Sequence, residues 1–316
     1  MSDPARERAA RLATLPFEQI GGAQKHFFAG TISSLRALWE HRDLQSQLVQ
    51  RELKVRYKDS SLGFLWSLIK PIMLLLIYYF AIGIILNARA SVPSFAIFVF
   101  AGLTLWGLYS DVLTAGTLSI LRNAGLIKKV YVPRELFPIA AVASSLVNFA
   151  VQLGVLLVAT IVFGQFFFTW DVLYVVPAIL IVILFSTALG ILLSALNVFF
   201  RDIQYLVEVA VPMLFWASPI IYAFSSLHNS SLGGTWVEWV YLLNPITVAV
   251  IAFQRAVWLG GPEVQASFEK LGINPADTYP ADLDLRLIIL LIVGAVFLWL
   301  SHRVFLRLQG NFAQEI

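Results

Sequence analysis

The sequence predicts an all-α integral membrane protein. Six transmembrane helices are expected, with an N-terminal interfacial amphipathic helix and an outer re-entrant helical hairpin between spans 5 and 6. Three observations carry that prediction. Hydrophobic residues make up 59% of the 316 and charged residues only 13%, with mean hydropathy +0.79, whereas soluble domains carry about a quarter charged residues. The apolar residues gather in long, nearly uncharged runs, and a helix of roughly 20 apolar residues crosses a bilayer. Of the 22 Lys and Arg, all but Arg89, Arg255, Lys270 and Arg286 fall in segments assigned to one face, the bias that marks the cytoplasmic side. Both termini are then cytoplasmic and the protein is a multi-pass component of the plasma (inner) membrane.

Residues 1–30 are polar, mix Arg6, Arg8, Arg11 and Lys25 with Asp3, Glu7 and Glu18, and hold no apolar core of signal-peptide length. They read as a cytoplasmic tail. Residues 31–61 form the amphipathic unit, with an imperfect apolar stripe through Leu35, Leu38, Trp39, Leu44, Leu48 and Val55 and with six cations, Arg36, Arg42, Arg51, Lys54, Arg56 and Lys58. A basic amphipathic helix running straight into a span lies in the interface plane; a soluble helix on a cytoplasmic domain is the other reading.

Residues 62–316 form the six-span domain. The first span, 62–86, is interrupted only by Lys70, next to Pro71, where a lysine can snorkel to the headgroups. The second, 95–120, carries Asp111. A carboxylate inside a membrane helix is costly and marks a functional candidate, although one in the cytoplasmic half can also simply meet water or a basic neighbour.

Residues 121–138, LRNAGLIKKVYVPRELFP, form a basic island with Arg122, Lys128, Lys129 and Arg134 against Glu135. Leu126, Ile127, Val130, Tyr131 and Val132 give it more apolar surface than a solvated turn needs, so it reads as a short helix presented to a soluble partner; a purely topogenic loop is the alternative. The third span, 137–164, places Asn148 and Gln152 one turn apart on one face, as groups that hydrogen-bond between helices. Aromatic residues 166–170 suit the outer interface. The fourth span, 172–200, is uncharged, Arg201 and Asp202 form a second cytoplasmic turn, and the fifth span, 205–224, contains Glu208 near the inner surface.

The apolar stretch near 236–259 is broken by Asn244 and Pro245 into halves too short to span. Such halves read as a re-entrant hairpin, which survives only where protein or a water-filled cavity surrounds it; a single kinked span is the other reading. Residues 260–284 read as a polar outer loop and 285–300 as the last span, followed by Arg303 and Arg307.

The four histidines (His26, His41, His228, His302) show no metal-ligand spacing and there is no cysteine. No phosphate-binding loop G-x-x-x-x-G-K-[ST] is present, and no catalytic signature of serine hydrolases or zinc proteases. A membrane chain with cytoplasmic docking surfaces and no motor of its own suggests half of a larger machine.

Four segments carry a resemblance. RELKVRYKDSSLGFLWSLIKP at 51–71, LIKKVYVPRELF at 126–137, FFRDIQYL at 199–206 and Leu243-Asn244-Pro245 resemble, in order and spacing, the ABC-2 type permeases that export polysaccharides. That family includes the membrane subunits for O-antigen, teichoic acid, capsule and cell-wall galactan. Two features depart from it: Lys70 stands where a neutral residue such as asparagine is commoner, and the tail before Gly30 is longer than in many members.

The resemblance implies a homodimer bearing two copies of a nucleotide-binding ATPase subunit, which binds the ATP and Mg²⁺. It implies no cofactor on this chain, no catalytic residue, no nucleic-acid partner, and contacts with membrane lipids and a lipid-linked glycan. Coupling segments near 121–138 and 199–205 would meet the ATPase. Leu126, Lys128, Lys129, Tyr131, Val132, Arg134 and Glu135 belong to the first, with Arg134 and Glu135 as anchoring charges, and Arg201 and Asp202 to the second. Trp106, Tyr109, Tyr78, Tyr79 and Asp111 are candidates for the substrate path, since sugar rings present C–H faces that stack on aromatics; lipid-facing packing is the plain alternative for the aromatics. Asn244 and Pro245 would form the outer gate. Two rival functions are an ABC-2 permease for lipids or drugs and a membrane enzyme acting on lipid-linked sugars, for which only Asp111 and Glu208 could supply carboxylates.

Overall fold

A chain this apolar satisfies its backbone away from water by forming helices, whose hydrogen bonds are internal to each segment. The computed structural model describes residues 36, 38–57, 65–88, 92–129 and 132–316, and all regular structure among them is helical. The tail 1–30 and Tyr131 lie outside the described residues.

Helix α1 (Arg42–Tyr57) precedes α2 (Trp66–Tyr78), which continues as a π-helical stretch, Tyr79–Ile85. Next come α3 (Phe95–Arg122), the single turn α4 (Ala124–Ile127) and α5 (Leu136–Val162). A 3-10 turn, Trp170–Tyr174, leads into α6 (Val175–Phe199), and α7 (Ile203–Trp216) follows. Short helices α8 (Phe224–His228), α9 (Trp236–Leu243), α10 (Pro245–Gln254) and α11 (Pro262–Leu271) precede α12 (Leu283–Leu308) and a last turn, α13 (Phe312–Glu315).

Among the described residues, 95–122, 136–162, 170–199 and 275–311 are long and apolar enough to cross a membrane. The bent pair α9–α10 makes a fifth candidate, and 71–85 and 203–216 are shorter apolar helices. Helix α3 is central, and nearly all of its first half is buried. Its hydroxyls stay satisfied without leaving the helix: Thr104 donates to Phe100 O at 2.7 Å and Thr117 to Leu113 O at 2.8 Å. Helices α3 and α6 meet at Gly116 and Gly190, where a Cβ on Gly116 would lie 3.0 Å from the Gly190 Cα. Small residues permit such backbone approach in apolar surroundings.

Three elements differ from the sequence expectation. The expected span 205–224 ends at Trp216, and 217–223 is non-helical. Pro219 brings no N–H and disfavours helical geometry in the residue before it. Carbonyls of this stretch find side chains of α10: Gln254 Nε2 donates to Pro219 O at 2.9 Å and Thr247 Oγ1 to Ala217 O at 3.3 Å. The expected outer loop 260–284 contains α11, started by Pro262 and stopped by Gly272 in the left-handed conformation, with Val264 and Phe268 buried one turn apart. Helix α12 runs about two turns beyond the expected end at 300, to Leu308.

Candidate functional site

At one end of the bundle a compact apolar cluster gathers Leu48 of α1, Ile120 of α3, Ile127, Leu136, Phe137, Ile191, Val198, Phe305 and Phe312. These residues come from the ends of α3, α6 and α12 and the start of α5, so this end collects both predicted coupling segments. Asn123, where α3 stops, is buried; its Nδ2 donates to Ser119 O at 2.8 Å and its Oδ1 accepts a hydrogen bond from Arg51 of α1. In the turn that follows, Ile127 points into the cluster and Lys128 and Lys129 are exposed. Leu126 and Val132 are half-buried against the cluster.

Arg134 and Glu135 turn inward instead. The Arg134 guanidinium lies 5.8 Å from the centre of the Phe312 ring, and the buried Glu135 carboxylate is 3.9 Å from His302 Nε2. Leu136 and Phe137, almost fully buried, draw the start of α5 under the bundle and take these two charges along. The outward cations of the island are therefore Arg122, Lys128 and Lys129. In the second segment Arg201 and Asp202 are both exposed. Asn197, fully buried, holds that turn in place: its Nδ2 donates to Thr117 O at 3.3 Å and its Oδ1 accepts from Gln204 N at 3.2 Å.

Three of the four aromatic path candidates come together. Tyr78 of α2 stacks on Phe215 of α7 at 5.7 Å, Trp106 of α3 meets Phe215 edge-on at 5.6 Å, and Trp106 lies 5.3 Å from Tyr109. Trp106 and Tyr109 are buried inside the chain. Tyr79 turns away from this group and lines a separate groove of about 770 Å³ with Phe95, Phe163, Gln165 and Lys270. Asp111 is half-buried and accepts from Asn148 Nδ2 at 3.4 Å. One turn along, Gln152 Oε1 would be 3.0 Å from a Cβ on Gly107, so a polar seam runs between antiparallel α3 and α5. Glu208 is exposed on α7.

Asn244 ends α9 and caps α10, its Oδ1 accepting from Ile246 N at 3.1 Å and its Nδ2 donating to Ser218 Oγ at 3.3 Å. Pro245 opens α10, and the two helices meet at 84°. Nearby, the Arg255 guanidinium is sandwiched between the rings of Tyr174 and Tyr279, 4.1 Å from each centre, and pairs with Asp171 at 2.8 Å. Tyr174 Oη donates to Asp284 at 2.5 Å.

Sequence reasoning missed Phe215, Asn197, Gln254 and this clasp. A lone arginine in an apolar stretch needs a carboxylate partner, which is the signal that could have led from Arg255 to Asp171. Phe215 and Asn197 offered none, because aromatic and amide residues are ordinary in apolar helices.

Residues 45–258 match the family described as ABC-2 type transporter. Among curated proteins, an O-antigen export system permease protein, RfbA, of Myxococcus xanthus is 31% identical over 285 residues, covering 90% of this chain and 100% of that protein. An O-antigen export system permease protein RfbA of Klebsiella pneumoniae is 29% identical over 223 residues, 69% of this chain and 81% of that one. The polysialic acid transport protein KpsM of Escherichia coli is 25% identical over 215 residues, 67% and 80% respectively.

Proposed function

Because this chain belongs to the ABC-2 type transporter family, we propose that it is the membrane-spanning permease subunit of an ABC exporter for a polysaccharide. It is a multi-pass membrane protein, and the resemblance carried by its four motifs is met by the family match. The cargo reading rests on the alignment with an O-antigen export permease along that protein's whole length. The cargo is a lipid-linked glycan moved from the cytoplasmic to the outer face of the plasma membrane. Two copies of this chain form the path, and each carries a separate ATPase subunit that binds ATP and Mg²⁺. The chain itself supplies positioning and coupling, with no catalytic residue.

The finer topology follows the sequence reading. Helix α2 with its π continuation and the short α7 complete six spans alongside the four long helices, and the 84° bend at Asn244 supports α9 and α10 as an outer re-entrant element. Lys128, Lys129 and Arg201 share the end that also holds α1, which supports the cytoplasm at that end.

Closure of the ATPase pair presses on the turn bearing Lys128 and Lys129 and on Arg201 and Asp202. The apolar cluster behind these turns is close-packed and of low compressibility, so displacement passes into α3, α5, α6 and α12. Parting of the Tyr78–Phe215 contact between α2 and α7 opens an aromatic wall of Tyr78, Trp106 and Tyr109 to the glycan, while Asp111 and Asn148 offer hydrogen bonds to hydroxyls. Tyr79, Asn244 and Pro245 lie toward the outer exit.

Depletion of the protein tests the cargo. Long lipid-linked glycans should accumulate on the cytoplasmic face; a changed lipid or drug profile without them would move the cargo to another class. Reversing Lys128→Glu and Lys129→Glu together should detach the ATPase subunit on co-purification, and retention of the ATPase would remove the first docking assignment. With Asp111→Ala, a permease keeps most of its export, whereas an enzyme acting on lipid-linked sugars loses its turnover.

A further inference from the structure

Phe312 has no role in that reading, yet it is fully buried only a few residues from the C-terminus. A 3-10 turn, Gln309–Asn311, folds the chain back beneath α12 and delivers this ring into the apolar cluster at the basic end. Three contacts define its place. Its centre is 5.4 Å from Phe305 of α12, edge-on, and 6.1 Å from Phe199, the last residue of α6, two positions before Arg201. The Arg134 guanidinium, two positions before α5 begins, lies 5.8 Å from the same ring. One side chain thus touches the first coupling segment, the second coupling segment and the last span at once. His302, one turn before Phe305 on α12, adds a further contact to the first segment through Glu135 at 3.9 Å.

We propose that Phe312 is a positioning residue for transport: it is the pin that makes the two coupling segments move as one body with the end of α12. A close-packed ring passes on displacement because packed interiors have low compressibility, whereas a void absorbs it. A push delivered to either segment is then shared with the other, and both carry α12 with them. The proposal rests on the coupling reading of the two segments.

The test uses the full chain with its ATPase subunit, reconstituted in lipid, and reads glycan exported per ATP hydrolysed. Phe312→Ala should keep the ATPase subunit bound and hydrolysing but lower export per ATP by about fivefold or more, the lower range of coupling between sites; Phe312→Leu should restore most of it. Full export per ATP in Phe312→Ala overturns the pin. Where Phe312→Ala fails to fold, a second variant carries the decision. The chain contains no cysteine, so Phe199→Cys with Phe312→Cys can be bridged selectively by a short bifunctional thiol reagent. Bridging should raise export per ATP above that of the same variant unbridged, since parts that move together tolerate being joined. Inhibition on bridging would show that they move apart during the cycle and overturns the proposal. Failure of the underlying reading looks different: Lys128→Glu with Lys129→Glu would leave the ATPase subunit bound, and the pin would fall with the docking assignment. If only the pin is wrong, those reversals detach the ATPase while Phe312→Ala exports normally.

Discussion

At the basic end, segments distant in sequence meet through apolar side chains, with Leu48, Ile127, Leu136, Phe305 and Phe312 in one cluster. At the opposite end the corresponding meetings are polar. Arg255 pairs with Asp171 at 2.8 Å, Tyr174 bonds Asp284 at 2.5 Å, Glu263 accepts from Ser94 at 2.7 Å and from Gln165 at 3.2 Å, and Trp258 Nε1 donates to Pro93 O at 2.7 Å. Apolar packing is non-directional and of low compressibility, so a small displacement passes through it without any single contact having to break. A sandwiched ion pair is directional, and it holds until the geometry is lost. On the proposed coupling, the basic end carries displacement continuously and the far end resists until a threshold is reached.

Removing the clasp should have the largest effect. Arg255→Leu deletes the cation and leaves Asp171 without its partner beside two aromatic rings. Breaking a buried pair from one side costs about 3–5 kcal/mol; the Asp171 side chain is 33% exposed, so water recovers part of that and a loss of about 2–3 kcal/mol is expected. Thermal unfolding of the purified protein measures the loss, and hydrogen exchange should show it concentrated around 171–175 and 275–284. Arg255→Lys should fail to rescue, because an ammonium cannot stack as a plane between two rings. Replacing both partners, with Arg255→Met and Asp171→Leu, should recover much of the stability while erasing the threshold, so that the outer end opens with less ATP hydrolysed.

A substitution just inside the basic end sharpens the contrast. Gly116→Val places a Cβ 3.0 Å from the Gly190 backbone, and backbone cannot step aside as a flexible side chain does. Overpacking of this kind costs about 1–3 kcal/mol. It should also weaken the link between the ends, because α3 and α6 are two of the long helices that run from one to the other. A drop in export per ATP larger than the drop in melting temperature suggests would support continuous transmission through this crossing; an equal loss in both would make it a plain stability defect.

Composition and hydropathy made the helical membrane architecture legible, since long uncharged runs have few other solutions. The island at 121–138 was legible as a distinct element from its charge, and Asn244-Pro245 as a break from proline chemistry. The inward turn of Arg134 and Glu135 was not, because sequence marks a charge and not its direction; burial of Leu136 and Phe137 decides it. The end of the fifth expected span at Trp216 was signalled by Pro219 but masked by the hydropathy of 217–224, whose carbonyls are satisfied by Thr247 and Gln254 from some thirty residues away. Helix α11 was hidden the other way round. Its Pro262 and Gly272 punctuate a helix, yet in an acidic, polar stretch the same residues read as a loop.

The smallest predicted effect concerns the bend that joins the polar end to the bundle core. Asn244 makes two hydrogen bonds of different kinds: its Oδ1 caps α10 through Ile246 N and its Nδ2 reaches Ser218 Oγ in the non-helical stretch after α7. Loss of an N-cap costs about 1 kcal/mol, so Asn244→Ala should lower the melting temperature only slightly. Asn244→Asp separates the two bonds. It keeps the cap oxygen but loses the amide donor to Ser218 Oγ, whose own hydroxyl already donates to Leu214 O at 2.9 Å, so the stability loss should be smaller than that of Asn244→Ala. If the bend at Asn244 closes the outer end, Asn244→Ala should raise the passive leak of small solutes from sealed vesicles and Asn244→Asp should not. Equal leak in both variants would place the outer closure in the Arg255 clasp instead, and the far end would then rest on its charges alone.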